Sequence, residues 1–193
     1  MLPKTHGMRM RSRLFLIMFM DIKVICREFF RICILQRKPQ DLPASDTLLA
    51  LCLIIYTTAN VLVSLNKITL PKALEASLLD SILVASITLV VLGLSHRTAR
   101  WKQTLTALAG TGCIMSLAAL PIIYGNTIAG TDALRAVLFL LYMGLLVWNI
   151  TVMGHILRYA LDTSFVFGVI FALTYIFITS ILINLVIPEL EGA

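Results

Sequence analysis

Residues 47–65 read TLLALCLIIYTTANVLVSL, nineteen consecutive positions without a charged side chain. A stretch of about 20 apolar residues is what an α-helix needs to cross a hydrocarbon layer of about 30 Å. The run shows no two-residue alternation of the kind a barrel strand carries, and in lipid only a helix satisfies its own backbone. Four more such stretches follow: from about Leu74 to Leu94, Thr104 to about Tyr124, Ala133 to beyond Gly154, and Ser164 to Ile187. The reading is an all-α polytopic membrane protein of five transmembrane helices, residues 47–187. Residues 1–46 form a basic N-terminal segment, and residues 188–193 a short acidic tail. Punctuation agrees: Asp46 and Asp132 stand where N-caps are wanted, Pro71 opens the second span and Pro188 ends the fifth.

Composition excludes the alternatives. Of 193 residues, 59% are hydrophobic and 13% charged, against about 45–50% and about 25% in a soluble domain. So few charges do not build a water-soluble surface, and so apolar a chain is not disordered. Nor is there length for a large soluble enzyme domain beside the spans.

The net charge of +6 is read as orientation before nucleic acid is invoked. Of sixteen Lys and Arg, nine lie in the first 46 residues, Arg97, Arg100 and Lys102 in the connection between spans two and three, and Arg158 in that between four and five. Only Lys67, Lys72 and Arg135 fall on the other side. Basic residues concentrate on the cytoplasmic side, so thirteen against three puts the N-terminus in the cytoplasm and the C-terminus outside. A bacterial inner membrane is the expected location, with the bilayer as partner and nucleic acid excluded.

Within the N-terminal segment, Arg9, Arg11 and Arg13 followed by LFLIMFM imitate a signal peptide. The apolar run is only seven residues long, Asp21 and Lys23 end it, and no cleavage site follows. Met20 is read as the natural start. From there MDIKVICREFFRICILQRK (residues 20–38) has Ile22, Ile25, Phe29, Ile32 and Cys33 at helical spacing, and Lys23, Arg27 and Arg31 as an i, i+4 basic stripe. This amphipathic helix either lies in the anionic interface, with the basic stripe on lipid phosphates, or packs under the bundle. Pro39 and Pro43 in RKPQDLPAS (residues 37–45) break the helix and turn the chain toward the first span.

Few polar residues fall inside the spans, and each is a functional candidate by default. Asp80 is the clearest. Its helical neighbours Ala73, Ala76 and Ser77 are small, so its face meets another helix. Asn60, on an antiparallel neighbour, is placed to hydrogen-bond Asp80, and Arg135 enters from the same side as a further candidate partner. This cluster reads either as a proton- or ion-linked site or as a polar clamp between three helices, the clamp being the plainer reading. His96 and His155 sit at span ends beside arginines, as anchors or a basic collar. Trp148 and Asn149 suggest a packed face with an amide hydrogen bond, and Gly112 to Ser116, with Gly110, a close-packing face on the third span. Cys26, Cys33, Cys52 and Cys113 lack metal-ligand spacing and read as small apolar side chains. No nucleophile-elbow, zincin, phosphate-loop or dinucleotide motif occurs, so no catalytic residue, metal ligand or cofactor is assigned and the chain is not read as an enzyme. Five spans do not divide into two inverted halves, unlike common secondary transporters.

REFFRI (residues 27–32), the hinge with PQDLP (residues 39–43) and five closely spaced spans resemble the Yip1-type family of small membrane proteins, in particular uncharacterised bacterial inner-membrane proteins of that kind. The resemblance covers roughly residues 24–187. It implies a five-helix bundle acting in membrane organisation or assembly through contacts with itself, other membrane proteins or lipids, with no catalytic site. The alternative expectation is a small ion- or proton-coupled transporter or channel using Asp80.

Overall fold

The computed structural model describes residues 23–186. The Met20 start and the Pro188 stop lie outside the described residues. The described chain is helical throughout: α1 over residues 23–33, α2 Asp46–Ser64, α3 Leu70–Leu94, α4 Trp101–Ile128, α5 Asp132–Leu161 and α6 Phe165–Val186, with 3₁₀ turns at Pro39–Asp41 and Thr98–Arg100. The five helices α2–α6 are long and apolar enough to cross a membrane, with mean hydropathies between 1.8 and 2.5. The protein is an all-α, multi-pass membrane protein.

The helix starts differ from the sequence reading by one residue. Ser45, not Asp46, caps α2, its hydroxyl accepting from the Leu48 N–H at 3.4 Å. Thr131, not Asp132, caps α5, accepting from Leu134 N–H at 3.3 Å. A hydroxyl one position earlier reaches the orphan donor of the first turn, and the carboxylate then sits inside that turn, favourable to the helix dipole. Pro71 opens α3 as expected. Pro121 lies inside α4, which continues to Ile128, four residues past the expected end.

The membrane spans carry many hydroxyls, and their satisfaction is local. Thr57, Thr58, Thr111, Thr151 and Thr179 each donate to the carbonyl four residues earlier, at 2.8–2.9 Å. That is how a Thr is tolerated where no water competes.

Packing runs around a ring: α2 on α3, α3 on α6, α6 on α5, α5 on α4, and α4 back on α2. α4 is the most enclosed span, with half of its most apolar window buried, against 11% for α5. Composition explains this: Ala107, Ala109, Gly110 and Gly112 let neighbours approach α4 closely, whereas the first half of α5 is lined with large exposed side chains such as Phe139, Leu140 and Leu141. Two glycines fix the α5–α6 crossing. A Cβ on Gly168 would collide with the Gly154 carbonyl oxygen, and one on Gly154 would lie 3.1 Å from the Val169 nitrogen.

At one end of the ring, α1 and the proline hinge are knitted into the bundle. Phe29, Ile32 and Cys33 are buried in the main core, the Phe29 ring seated on Gly110. Of the two readings of this helix, its apolar face therefore packs on the bundle. The outer face still exposes Val24 and Phe30 beside Lys23 and Arg27, while Arg31 pairs with Glu28 at 3.4 Å. The hinge is held by partly buried polar bonds: Gln40 donates to Tyr159 O at 2.7 Å, Gln103 to Leu42 O at 2.8 Å, and His155 Nε2 meets Arg37 O at 2.9 Å. His155 is thus a buried tie between α5 and the hinge rather than part of an exposed collar. His96 ends α3 at φ 55°, in the left-handed region.

Candidate functional site

The site grows from Asp80, placed by α3 in the interior of the ring. Two helices bring donors to it. From α2, Tyr56 donates its hydroxyl to Oδ2 at 2.5 Å, and Asn60, one turn on along the same face, donates Nδ2 to the same oxygen at 3.1 Å. From α6, the Tyr175 hydroxyl approaches Oδ1 at 3.4 Å. α4 completes the arrangement. Ser116 donates to Asn60 Oδ1 at 2.7 Å, which orients the amide so that its NH2 faces the carboxylate. Gly112 leaves room for the Tyr56 ring, since a Cβ there would stand 2.7 Å from Cε2. A parallel α2–α3 link, Thr57 to Ser81 at 2.6 Å, lies one residue further along each helix.

The electrostatic character is unusual for a carboxyl group among membrane spans. Every partner of Asp80 in this network is neutral, and among the described residues no Lys or Arg forms an ion pair with it. The sequence reading put Arg135 forward as that cation. The structure corrects it: Arg135 pairs with Asp132, three residues back on its own helix, at 3.6 Å, and is largely exposed. The cause is the loose packing of the first half of α5, which leaves the Arg135 side chain nearer its own helix start than the ring interior.

Asp80 lines a cavity of about 470 Å³. Its walls come from all five spans and run from Ser64 and Ile183, near the α2–α3 loop end of the bundle, to Leu108 and Met153, about two turns from the start of α4 and the end of α5. Beyond that level toward α1, Leu105, Val152 and Ile156 are fully buried and the core is packed. Asn149 faces the cavity from α5 and Tyr142 stands a little less than two turns before it. Trp148, expected in a packed face, points outward instead and is substantially exposed, because adjacent helical positions are about 100° apart. Ser77, one turn before Asp80, also lines the cavity. It is 2% exposed, and its hydroxyl has no hydrogen-bond partner.

Sequence reasoning placed Asp80 and Asn60 together and the structure sets them in hydrogen-bond contact. It did not find Tyr56 or Tyr175, and it named Ser77 only as a small neighbour on the Asp80 face. Tyr56 carried a signal, being one helical turn before Asn60 on the same face. Tyr175 carried none, as α6 is joined to α3 only through the tertiary fold. Lys23, Arg27 and Arg31, the candidate phosphate contacts, lie on α1 and are not among the residues that line this cavity.

Comparison with known proteins finds no matching family model, no matching curated protein and no matching solved structure.

Proposed function

We propose that the protein moves a proton or a cation across the bilayer through an Asp80-centred site. The observation that carries this reading is the cavity of about 470 Å³ that reaches a carboxyl group whose partners, among the described residues, are all neutral donors. A purely structural clamp needs no such space beside it. An ionisable residue among spans faces a bundle interior or a water-filled cavity when it works on an ion, and a carboxyl without a fixed counter-charge takes up a proton or cation instead. Packing of the core between the cavity and α1 fits a carrier closed on that side. The experiment is reconstitution into liposomes with an internal pH indicator under an imposed proton or salt gradient. Wild-type protein should dissipate the gradient, and Asp80→Asn should not while keeping its elution profile in detergent. If Asp80→Asn instead prevents stable insertion, the carboxyl serves as a clamp.

A second reading, membrane organisation through lipid and protein contacts as the Yip1-type layout implies, is supported by the outer face of α1. Val24 and Phe30 are exposed there beside Lys23 and Arg27, a composition suited to an anionic interface. The charge asymmetry supports placing this end in the cytoplasm of a bacterial inner membrane, with the C-terminus outside. Under this reading Asp80→Asn leaves the protein's associations unchanged.

A further inference from the structure

We infer that the Asp80 cavity is a binding site for an amphipathic organic cation, a protonated amine carried on an apolar body. The inference rests on the reading of Asp80 as a cation site and names the class of ligand.

Size is the first argument. A cavity of about 470 Å³ falls within the range of about 300–1,000 Å³ typical of small-molecule pockets. A bare metal ion fits poorly, because Ca²⁺ wants about 6–8 oxygen ligands at close range. Among the described residues no group of three or more His, Cys, Asp or Glu is placed to hold one. A single carboxylate in so wide a space matches an ion that brings its own bulk.

The lining argues for the apolar body. Leu108, Met115, Met153 and Ile176 wall the cavity, and methionine fills irregular contacts against varied shapes. Three tyrosines, Tyr56, Tyr142 and Tyr175, line it as well, and aromatic rings attract organic cations as well as apolar groups. Among the described residues, no Lys or Arg lines the cavity, which disfavours an anion.

The hydrogen bonds argue for an N–H donor. Oδ2 of Asp80 already accepts from Tyr56 and Asn60, at 2.5 and 3.1 Å, whereas Oδ1 has only the long 3.4 Å approach of Tyr175. Oδ1 is the acceptor left with capacity, and an ammonium N–H is the donor that completes it. The unpartnered Ser77 hydroxyl, 2% exposed in the same wall one turn away, supplies a second acceptor. A buried hydroxyl without a partner is costly, and a ligand donor relieves that cost.

The test uses the purified full-length chain in detergent and tritiated 4-phenylbutylamine as probe, by equilibrium dialysis at neutral pH. Saturable binding is expected, with 4-phenylbutanol, its uncharged analogue, failing to compete at equal concentration. Asp80→Asn should weaken binding at least tenfold and Ser77→Ala a few-fold. Leu146→Trp, which adds bulk to the cavity wall from α5 at a residue outside the polar network, should abolish binding and keeps the test independent of whether Asp80→Asn folds. Equal competition by the alcohol, or wild-type binding in both Asp80→Asn and Leu146→Trp, overturns the inference. Should the amine fail to bind while liposomes still show Asp80-dependent proton movement, the ligand class is wrong and the site reading survives. Loss of Asp80 dependence in both assays overturns both.

Discussion

The hydroxyl of Tyr56 donates to Asp80 across 2.5 Å from a ring that stands on Gly112. Three helices meet in that one relationship: α2 supplies the donor, α3 the acceptor, and α4 the gap in which the ring sits. It makes the geometry of the site dependent on a residue with no side chain.

Removing the donor should cost little stability and change the carboxyl's behaviour. Tyr56→Phe is expected to lower stability by about 0.6–1.7 kcal/mol, the range of hydrogen bonds within membrane bundles, read by unfolding in mixed micelles. A double-mutant cycle with Asp80→Asn should show coupling of similar size, because the two side chains share the bond. Additive effects would mean that the bond contributes nothing.

Filling the gap should be worse. Gly112→Ala places a Cβ 2.7 Å from the Tyr56 ring, and the overpacking is expected to cost about 1–3 kcal/mol while displacing the phenol from Asp80. Gly144→Ala is the control, since nothing lies within 4 Å of a Cβ there. It should be neutral or up to about 1 kcal/mol stabilising through helix propensity. Thermal melting of the two variants side by side checks the difference.

Docking of α1 can be followed through its two cysteines. Cys26 is exposed, whereas burial of Cys33 pushes its thiol up to about 11, so little thiolate exists at neutral pH. A membrane-impermeant maleimide should modify Cys26 from the side of the membrane that bears α1 and leave Cys33 untouched. Phe29→Ala, which removes the ring seated on Gly110, should expose Cys33 to the reagent. Peptide mapping after labelling of right-side-out and inverted vesicles reads both the docking and the orientation; labelling from outside the cell would overturn the assignment drawn from the charge asymmetry.

Acid should loosen the α5–α6 turn. Asp162 ends α5 in a left-handed conformation at φ 49° and is held below the usual carboxylate range, first by the hydrogen bond from Arg97 and then by Arg100 at 3.1 Å. A depressed carboxyl pKa means that the folded state binds this proton less readily than the unfolded state. Its contribution is therefore present above the unfolded carboxylate pKa and disappears as pH falls through the lower folded one. Asp162→Asn should flatten that acid limb in a pH series of melting temperatures by slightly lowering the neutral plateau toward the acid value, the effect being small because the group is exposed to solvent.

The sequence by itself determined the number of spans, because a run of about 20 apolar residues in lipid has only a helix to become. It also marked Asp80, since an acid among apolar residues stands out in any reading, and Asn60, since a short loop makes α2 and α3 neighbours. Helix starts were legible only to within a residue: capping is decided by which oxygen reaches the first free N–H, and Ser45 and Thr131 reach it before the adjacent aspartates. The tertiary structure alone decided what surrounds Asp80. Arg135 looked like a partner because opposite charges attract, yet its own helix offered Asp132 three residues away at no cost in chain reorganisation. Tyr175 arrives from α6, 95 positions along the chain, through a ring order that no local pattern encodes. The cavity belongs to the same class of fact. It is the space left where five helices of given girth close around small residues on α4 and diverge along the first half of α5, and such a space is a property of the assembled bundle rather than of any one segment.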